Sequence, residues 1–190
     1  MSQLVTPIVL QFGVAQSRLL TYMSIRDEIA SLVADNKLFC LPSRLTGEET
    51  PRTLFVSQEI MDGLAQPYPA PQAHRLSEFR EFLDGFLENG EFSVAEDPDY
   101  KDQYALLARV HDVKEDFWDF RVTAPKPGIR AFGAFSEFNT FVLLTWEYRE
   151  SITNFDAEVE RCKAEWREMF ASKPFHGANL DAYLSNNFPV

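Results

Sequence analysis

Three consecutive strand-like runs with short links between them constrain the fold of this chain most. The runs are residues 116–122 (DFWDFRV), 129–135 (IRAFGAF) and 140–149 (TFVLLTWEYR). The links TAPKPG and SEFN are built from turn-forming residues. Because parallel neighbours need a crossover of a dozen or more residues, such short links predict antiparallel hairpins. A fourth strand is predicted at residues 104–110 (YALLARV).

Two amphipathic helices bracket these strands. Residues 75–90 carry an apolar stripe at helical spacing and end in Asn89-Gly90, a pair typical of a left-handed helix end. A second stripe predicts a helix over residues 156–170, with acidic residues in its first turn. The two stripes are Leu76, Phe79, Leu83, Phe86 and Leu87, and then Val159, Cys162, Trp166, Met169 and Phe170. The tail NLDAYLSNNFPV adds a short docking turn.

The chain divides by composition into three parts. Residues 1–64 are predicted to form an N-terminal mixed α/β segment, with strands at 5–14, 38–41 and 54–56 and a helix near 25–33. Residues 65–74 (AQPYPAPQAH) form a proline-rich connector, since prolines at alternate positions favour an extended chain. Residues 75–190 are predicted to form an α+β domain in which a small twisted antiparallel sheet is flanked by helices.

Composition narrows the class of protein. The net charge is −11, and residues 71–100 alone contain two basic and eight acidic residues. Such an acid excess is opposite to that of most proteins that grip a nucleic-acid backbone. No apolar run is long enough to span a bilayer, and two cysteines do not make a disulfide framework. We therefore expect a cytoplasmic protein with no membrane association.

Metal and cofactor sites are not predicted. His74, His111 and His176 are far apart, and no cysteine or histidine cluster has the spacing of metal ligands. Cys162 lies on a buried helical stripe, where core packing is the expected role. We expect no metal and no cofactor.

The arginines of the hairpins are the candidate site residues. Arg121 alternates with Asp119, and Arg149 alternates with Glu147, so the default expectation is a solvated sheet face with ion pairs. Arg130 differs because it shares its strand face with apolar residues. Either it pairs with an acid such as Asp119, or it is a cation placed on a concave face to hold an anion such as RNA phosphate.

Several short motifs resemble the RelE/ParE superfamily of bacterial toxins, in particular its HigB-like, phage-associated branch. They are FWDFR at 117–121, IRAF at 129–132 and FVLLTW at 141–146, and the resemblance covers about residues 76–170. It implies a RelE-like sheet with helices on one face and an RNA- or partner-binding concavity on the other. It also implies a toxin of a toxin–antitoxin or phage-derived system that acts on RNA or the ribosome, as a metal-independent endoribonuclease.

Site residues follow from the same resemblance. Arg130 would stabilise phosphate charge, Arg149 would supply the remaining basic group, and Tyr148 would donate a proton. The toxin interpretation also requires Arg121 to converge with Arg130 and Arg149 on one concavity, which makes Arg121 the candidate substrate-binding residue. Where the family often has two lysines, this chain has Glu147-Tyr148-Arg149-Glu150. The alternative is a non-catalytic RelE-like module that binds an antitoxin or another protein partner, which the acidic balance favours.

Overall fold

The computed structural model describes residues 23–44, 51–70, 72–99 and 104–190, and in these ranges it contains five α-helices and eight strands. The helices are α1 (Ile25–Ala34), α2 (Gln58–Gly63), α3 (Ala73–Leu87), α4 (Phe155–Met169) and α5 (Leu180–Tyr183). The strands are β1 (Leu38–Cys40), β2 (Thr53–Ser57), β3 (Phe92–Ala95), β4 (Leu107–Arg109), β5 (Phe117–Val122), β6 (Ile129–Glu137), β7 (Thr140–Tyr148) and β8 (Asn187–Pro189).

The two long helices lie where the apolar stripes predict them, and both have recognisable ends. The Asn154 side chain accepts a hydrogen bond from the Ala157 backbone N–H at 3.2 Å, which caps α4. After α3, Asn89 has φ 59°, and the Gly90 N–H donates to the Gly85 carbonyl at 2.9 Å. The Asn-Gly signal therefore ends this helix as expected.

The strands form one mixed sheet in the order β1-β2-β7-β6-β5-β4-β3-β8. The centre, β4 to β7, is antiparallel, as the short links predict. However, β2 runs parallel to β7, and β3 runs parallel to both β4 and β8. The prediction of an α+β sheet flanked by helices is confirmed, but the prediction of a purely antiparallel sheet is wrong. The parallel pairs join strands distant in sequence, which a hairpin pattern cannot reveal.

The strands that precede the proline-rich connector belong to this same sheet. Thr53 of β2 lies opposite Thr140 of β7, and β1 forms the edge beyond β2. The predicted short strands at 38–41 and 54–56 are thus present, with the first at an edge. The predicted strand at 5–14 lies outside the described residues.

Helices cover both faces of the sheet. On one face α3 packs against an aromatic cluster, in which Phe120 stacks on Phe141 at 4.6 Å and contacts Phe86 at 5.2 Å. On the other face α1 and α4 pack against a second apolar cluster, with Phe132 against Phe155 at 5.5 Å. The expectation of helices on one face only is therefore wrong.

Three elements in the described ranges are not predicted by the sequence patterns. Strand β3 lies in what reads as an acidic run, α2 follows β2 without a break, and β8 is in the tail. All of β3 is buried: Phe92 and Val94 belong to the aromatic cluster against α3, and Ala95 packs with Ala105 and Ala108. In the described part of the chain, no helix combines the length and apolar character that a bilayer crossing requires.

Candidate functional site

The β5–β6 turn and the end of β7 form a cavity of about 450 Å³, which we call the hairpin-end pocket. Its lining is Val122, Thr123, Lys126, Pro127, Gly128, Ile129, Arg130 and Arg149. The Arg149 N–H donates to the Gly128 carbonyl at 2.9 Å, which ties the end of β7 to the turn. A side chain at Gly128 would lie 2.0 Å from the Val122 carbonyl oxygen, so the turn requires glycine here.

Two of the predicted site residues, Arg130 and Arg149, line this pocket together. Lys126, which sequence analysis did not single out, adds a third cation. Arg149 and Lys126 are exposed, and neither forms an ion pair with a described carboxylate. Glu150, which follows Arg149, instead pairs with Arg75 at 2.5 Å. The acid next to Arg149 in sequence is therefore held by another cation.

Arg130 forms the ion pair that the sequence offered as one alternative. Its guanidinium donates to the Asp119 carboxylate on the neighbouring strand, and the Asp119 side chain is 1% exposed. The Arg130 side chain is 16% exposed and also lines the hairpin-end pocket. Because a guanidinium carries five N–H donors, one carboxylate does not exhaust it. The ion pair and a pocket anion can therefore share the same side chain.

Arg121 lies beside Arg130 without lining the pocket. The two are directly opposite each other in the β5–β6 register, and Arg121 is 7% exposed. Two like charges in register repel, and the pairing of Arg130 with Asp119, two residues before Arg121 on β5, offsets part of this repulsion. The predicted substrate-binding residue Arg121 therefore lies buried in the sheet next to Arg130, outside the pocket lining.

Tyr148 lies on the opposite face of the sheet from Arg130. Its ring packs against Trp146 with centroids 5.1 Å apart, and the Arg75 guanidinium lies 4.1 Å from the ring centroid. Burial raises the pKa of the Tyr148 phenol above its ordinary value. The structure therefore does not bring the predicted proton donor together with the predicted phosphate-binding arginines.

A second constellation joins residues that are distant in sequence. The Asp116 carboxylate accepts hydrogen bonds from Arg109, from the Tyr183 hydroxyl at 2.6 Å and from His176 Nδ1 at 2.6 Å. His176 and Asp116 also line a separate cavity of about 400 Å³. Sixty residues separate Asp116 from His176, and no local motif marks either residue, so the sequence alone does not predict their contact.

Within the described ranges, no group of three or more histidine, cysteine or acidic side chains could hold a metal ion. Comparisons with family models, with curated proteins and with solved structures found no match for this chain. The candidate site therefore rests on its own geometry.

Proposed function

We propose that this chain is a RelE-like protein that acts on RNA by holding phosphate groups in the hairpin-end pocket. One observation carries the proposal: Lys126, Arg130 and Arg149 line a single cavity in a protein whose net charge is −11. Cations that contact phosphate supply most of the affinity in nucleic-acid binding. The acid excess elsewhere, strongest in residues 71–100, disfavours contact of an RNA backbone with that part of the surface.

Each pocket cation has a distinct part in the proposed binding. Arg130 is oriented by Asp119, so its remaining N–H groups are held in a fixed fork suited to a phosphate. Arg149 and Lys126 are exposed and contribute flexible charge at the rim. Lys126 lies in the turn, Arg130 on β6 and Arg149 directly after β7, so the three cations can contact more than one oxygen of a phosphodiester.

A non-catalytic interaction module is the second candidate, and two observations favour it. Tyr148 is held by Arg75 on the other sheet face, away from the pocket. The pocket lining contains no carboxylate, histidine or tyrosine to accept or donate a proton. General acid–base catalysis needs such a group within hydrogen-bond reach of the reacting atoms.

The test of the proposal is RNA binding by the full chain. We expect the Lys126→Ala/Arg149→Ala double variant to bind a short single-stranded RNA more weakly than wild type in fluorescence anisotropy. The slope of log K against log salt should fall by about 1.4 in magnitude, or about 0.7 per lost phosphate contact. Arg26→Ala is the matched control, because Arg26 is exposed and pairs with Glu137 away from the pocket.

Induced expression in a bacterial host tests the toxin-like role. Growth arrest that Arg130→Ala or the double variant relieves would support action on RNA. Equal RNA affinity of the wild type and the double variant would show that the hairpin-end pocket is not the RNA-binding site. Absence of both RNA binding and growth arrest would leave the interaction module. The full chain is required, because β2 pairs with β7 and its removal exposes that strand.

A further inference from the structure

The cavity beside His176, which we call the tail pocket, has a cationic wall and an apolar floor. Its lining is Lys114, Glu115, Asp116, Phe117, Trp166, Arg167, Phe170, Ala171, Ser172, Lys173, Pro174 and His176. The pocket lies between the start of β5, the end of α4 and the segment that leads to α5. Its volume of about 400 Å³ falls in the range of small-molecule sites.

The charge of this lining is more positive than its composition indicates. The lining contains three cations and two acids, but each acid is paired with a residue outside the lining. Asp116 pairs with Arg109, and Glu115 pairs with Lys163. Lys114 and Lys173 are exposed, and neither forms an ion pair with a carboxylate in the described ranges. The tail pocket therefore presents cations to whatever occupies it.

Arg167 contributes a third, loosely held cation. Its guanidinium lies 3.5 Å from a Glu115 oxygen and 3.8 Å from a Glu160 oxygen, and its side chain is 59% exposed. Both acids make closer contacts with Lys163. Arg167 can therefore turn to an anion in the pocket at little cost.

The walls of the pocket are held in place before any ligand binds. The Trp166 indole N–H donates to the Ser172 carbonyl at 2.9 Å, and the Ser172 hydroxyl donates to Glu28 at 3.1 Å. The Phe175 N–H donates to the Phe135 carbonyl at 2.8 Å, which docks the following segment on the sheet. A preformed site loses little conformational entropy on binding.

One ring nitrogen of His176 is hydrogen-bonded to Asp116, and the other has no such partner among the described residues. Its Nδ1 lies 2.6 Å from Asp116 Oδ2, and the Asp116 side chain is 3% exposed while that of His176 is 71% exposed. The carboxylate also accepts from Arg109 and Tyr183, so Nδ1 is the nitrogen that donates. Nε2 is thus the ring nitrogen left for a ligand.

We propose that the tail pocket binds a small organic phosphate, a phosphate monoester with an aromatic or aliphatic group that packs on the apolar floor. A carboxylate has only two oxygens to accept hydrogen bonds from the three cations. A phosphate monoester has three terminal oxygens, so it can accept from all three cations. A phosphate monoester has a second pKa near 6, so near neutral pH it has both a protonated and an unprotonated form. Its protonated form has an O–H that can donate to Nε2 while Nδ1 donates to Asp116.

The apolar floor of the tail pocket is the reason that we propose an organic group on the phosphate. Phe117, Trp166 and Phe170 form its base and are each at most 5% exposed, whereas Ala171 and Pro174 of the same lining are more exposed and add apolar surface that a ligand can reach. An aromatic ring on this surface adds binding energy that inorganic phosphate lacks. We expect phenyl phosphate to bind at least about tenfold more tightly than inorganic phosphate.

Isothermal titration of the full chain with phenyl phosphate tests the proposal, together with the NMR signals of the His176 ring. The Lys114→Ala/Lys173→Ala double variant should bind at least about tenfold more weakly, and both residues are exposed, so the fold should persist. His176→Gln should weaken phenyl phosphate binding and not that of phenyl sulfate, which has no acidic proton. His74→Gln is the control, since His74 is on α3 beside Glu78.

Three results would overturn the proposal. They are no binding of phenyl phosphate at millimolar concentration, equal binding by wild type and Lys114→Ala/Lys173→Ala, and equal affinity for inorganic phosphate. The proposal is independent of RNA binding at the hairpin-end pocket. Lys126→Ala/Arg149→Ala should leave phenyl phosphate affinity unchanged, so failure of one site is distinguishable from failure of the other.

Discussion

The ion pair between Asp119 and Arg130 gives the most direct prediction about the centre of the sheet. Asp119 pairs with Arg130 on β6 and lies two residues before Arg121 on β5. Arg121 and Arg130 are directly opposite each other in the register of these strands. Asp119→Asn keeps the shape of the side chain and removes its charge. Two positive charges then face each other in a largely buried position.

The magnitude follows from burial. Removal of one partner of a buried ion pair costs about 3–5 kcal/mol, since the other charge stays in a poor environment. The Arg130 side chain is 16% exposed, so water reaches it in part and the low end applies. We expect Asp119→Asn to lower the free energy of unfolding by about 3 kcal/mol. For a domain of this size that is a fall in Tm of about 6–12 °C.

Urea unfolding followed by far-UV circular dichroism measures this loss, with an unchanged m-value expected. Glu147→Gln is the matched control. Glu147 is also opposite Arg130 in register, but its carboxylate accepts from the Tyr148 N–H at 2.7 Å. We expect that control to cost less than about 1 kcal/mol.

A double-mutant cycle with Arg130→Met isolates the pair. If the coupling is the source of the loss, Asp119→Asn should cost clearly less in the Arg130→Met background. A cost below about 1 kcal/mol for Asp119→Asn alone would show that the Asp119–Arg130 pair contributes little to stability. So would an equal cost in both backgrounds.

Three further predictions concern the core, the tail and the thiols. Phe120→Ala should lower the free energy of unfolding by about 3–5 kcal/mol in urea titrations, because Phe120 is fully buried among aromatic rings; a loss below about 1 kcal/mol would contradict this packing. Burial, together with donation to Asp116, raises the pKa of Tyr183 from 10.0 to about 12. As pH rises, the unfolded state loses this proton before the folded state does. The contribution of Tyr183 to the free energy of unfolding is therefore present below pH 10 and falls as pH rises toward 12. Tyr183→Phe should make the free energy of unfolding less dependent on pH in this range, and an unchanged pH dependence would contradict the raised pKa. Cys40 is exposed, whereas Cys162 is buried with its pKa raised to about 12 by desolvation, so Ellman's reagent should label one thiol in the native protein and a second only in denaturant; two fast thiols would disprove the burial of Cys162.

Local sequence patterns were sufficient to predict the helices and hairpin strands, because the residues that define them are close together in the sequence. The alternation in DFWDFRV put Trp118 and Phe120 on one face and Phe117 on the other, and the two apolar clusters divide them in this way. The apolar stripes and caps gave α3 and α4 because helix periodicity and capping involve residues only a few positions apart. The Asp119–Arg130 pair was accessible for the same reason, since a hairpin brings nearby strands together.

Tertiary structure alone decided the features that depend on long-range pairing. Parallel pairing of β2 with β7 joins Thr53 to Thr140, and parallel pairing of β3 with β8 joins Phe92 to Asn187. The same holds for chemistry. Lys126 and Arg149 share a pocket because β7 ends beside the β5–β6 turn, and His176 meets Asp116 because the tail docks on Phe135.

The physical reason is that hydrogen-bond and hydrophobic periodicities are properties of a few consecutive residues. Which strand lies beside another, and which side chains share a cavity, depends instead on the free energy of the whole packed chain. Arg130 illustrates both levels. Its strand and its partner Asp119 follow from adjacent segments, whereas its place in a cationic pocket required the completed sheet.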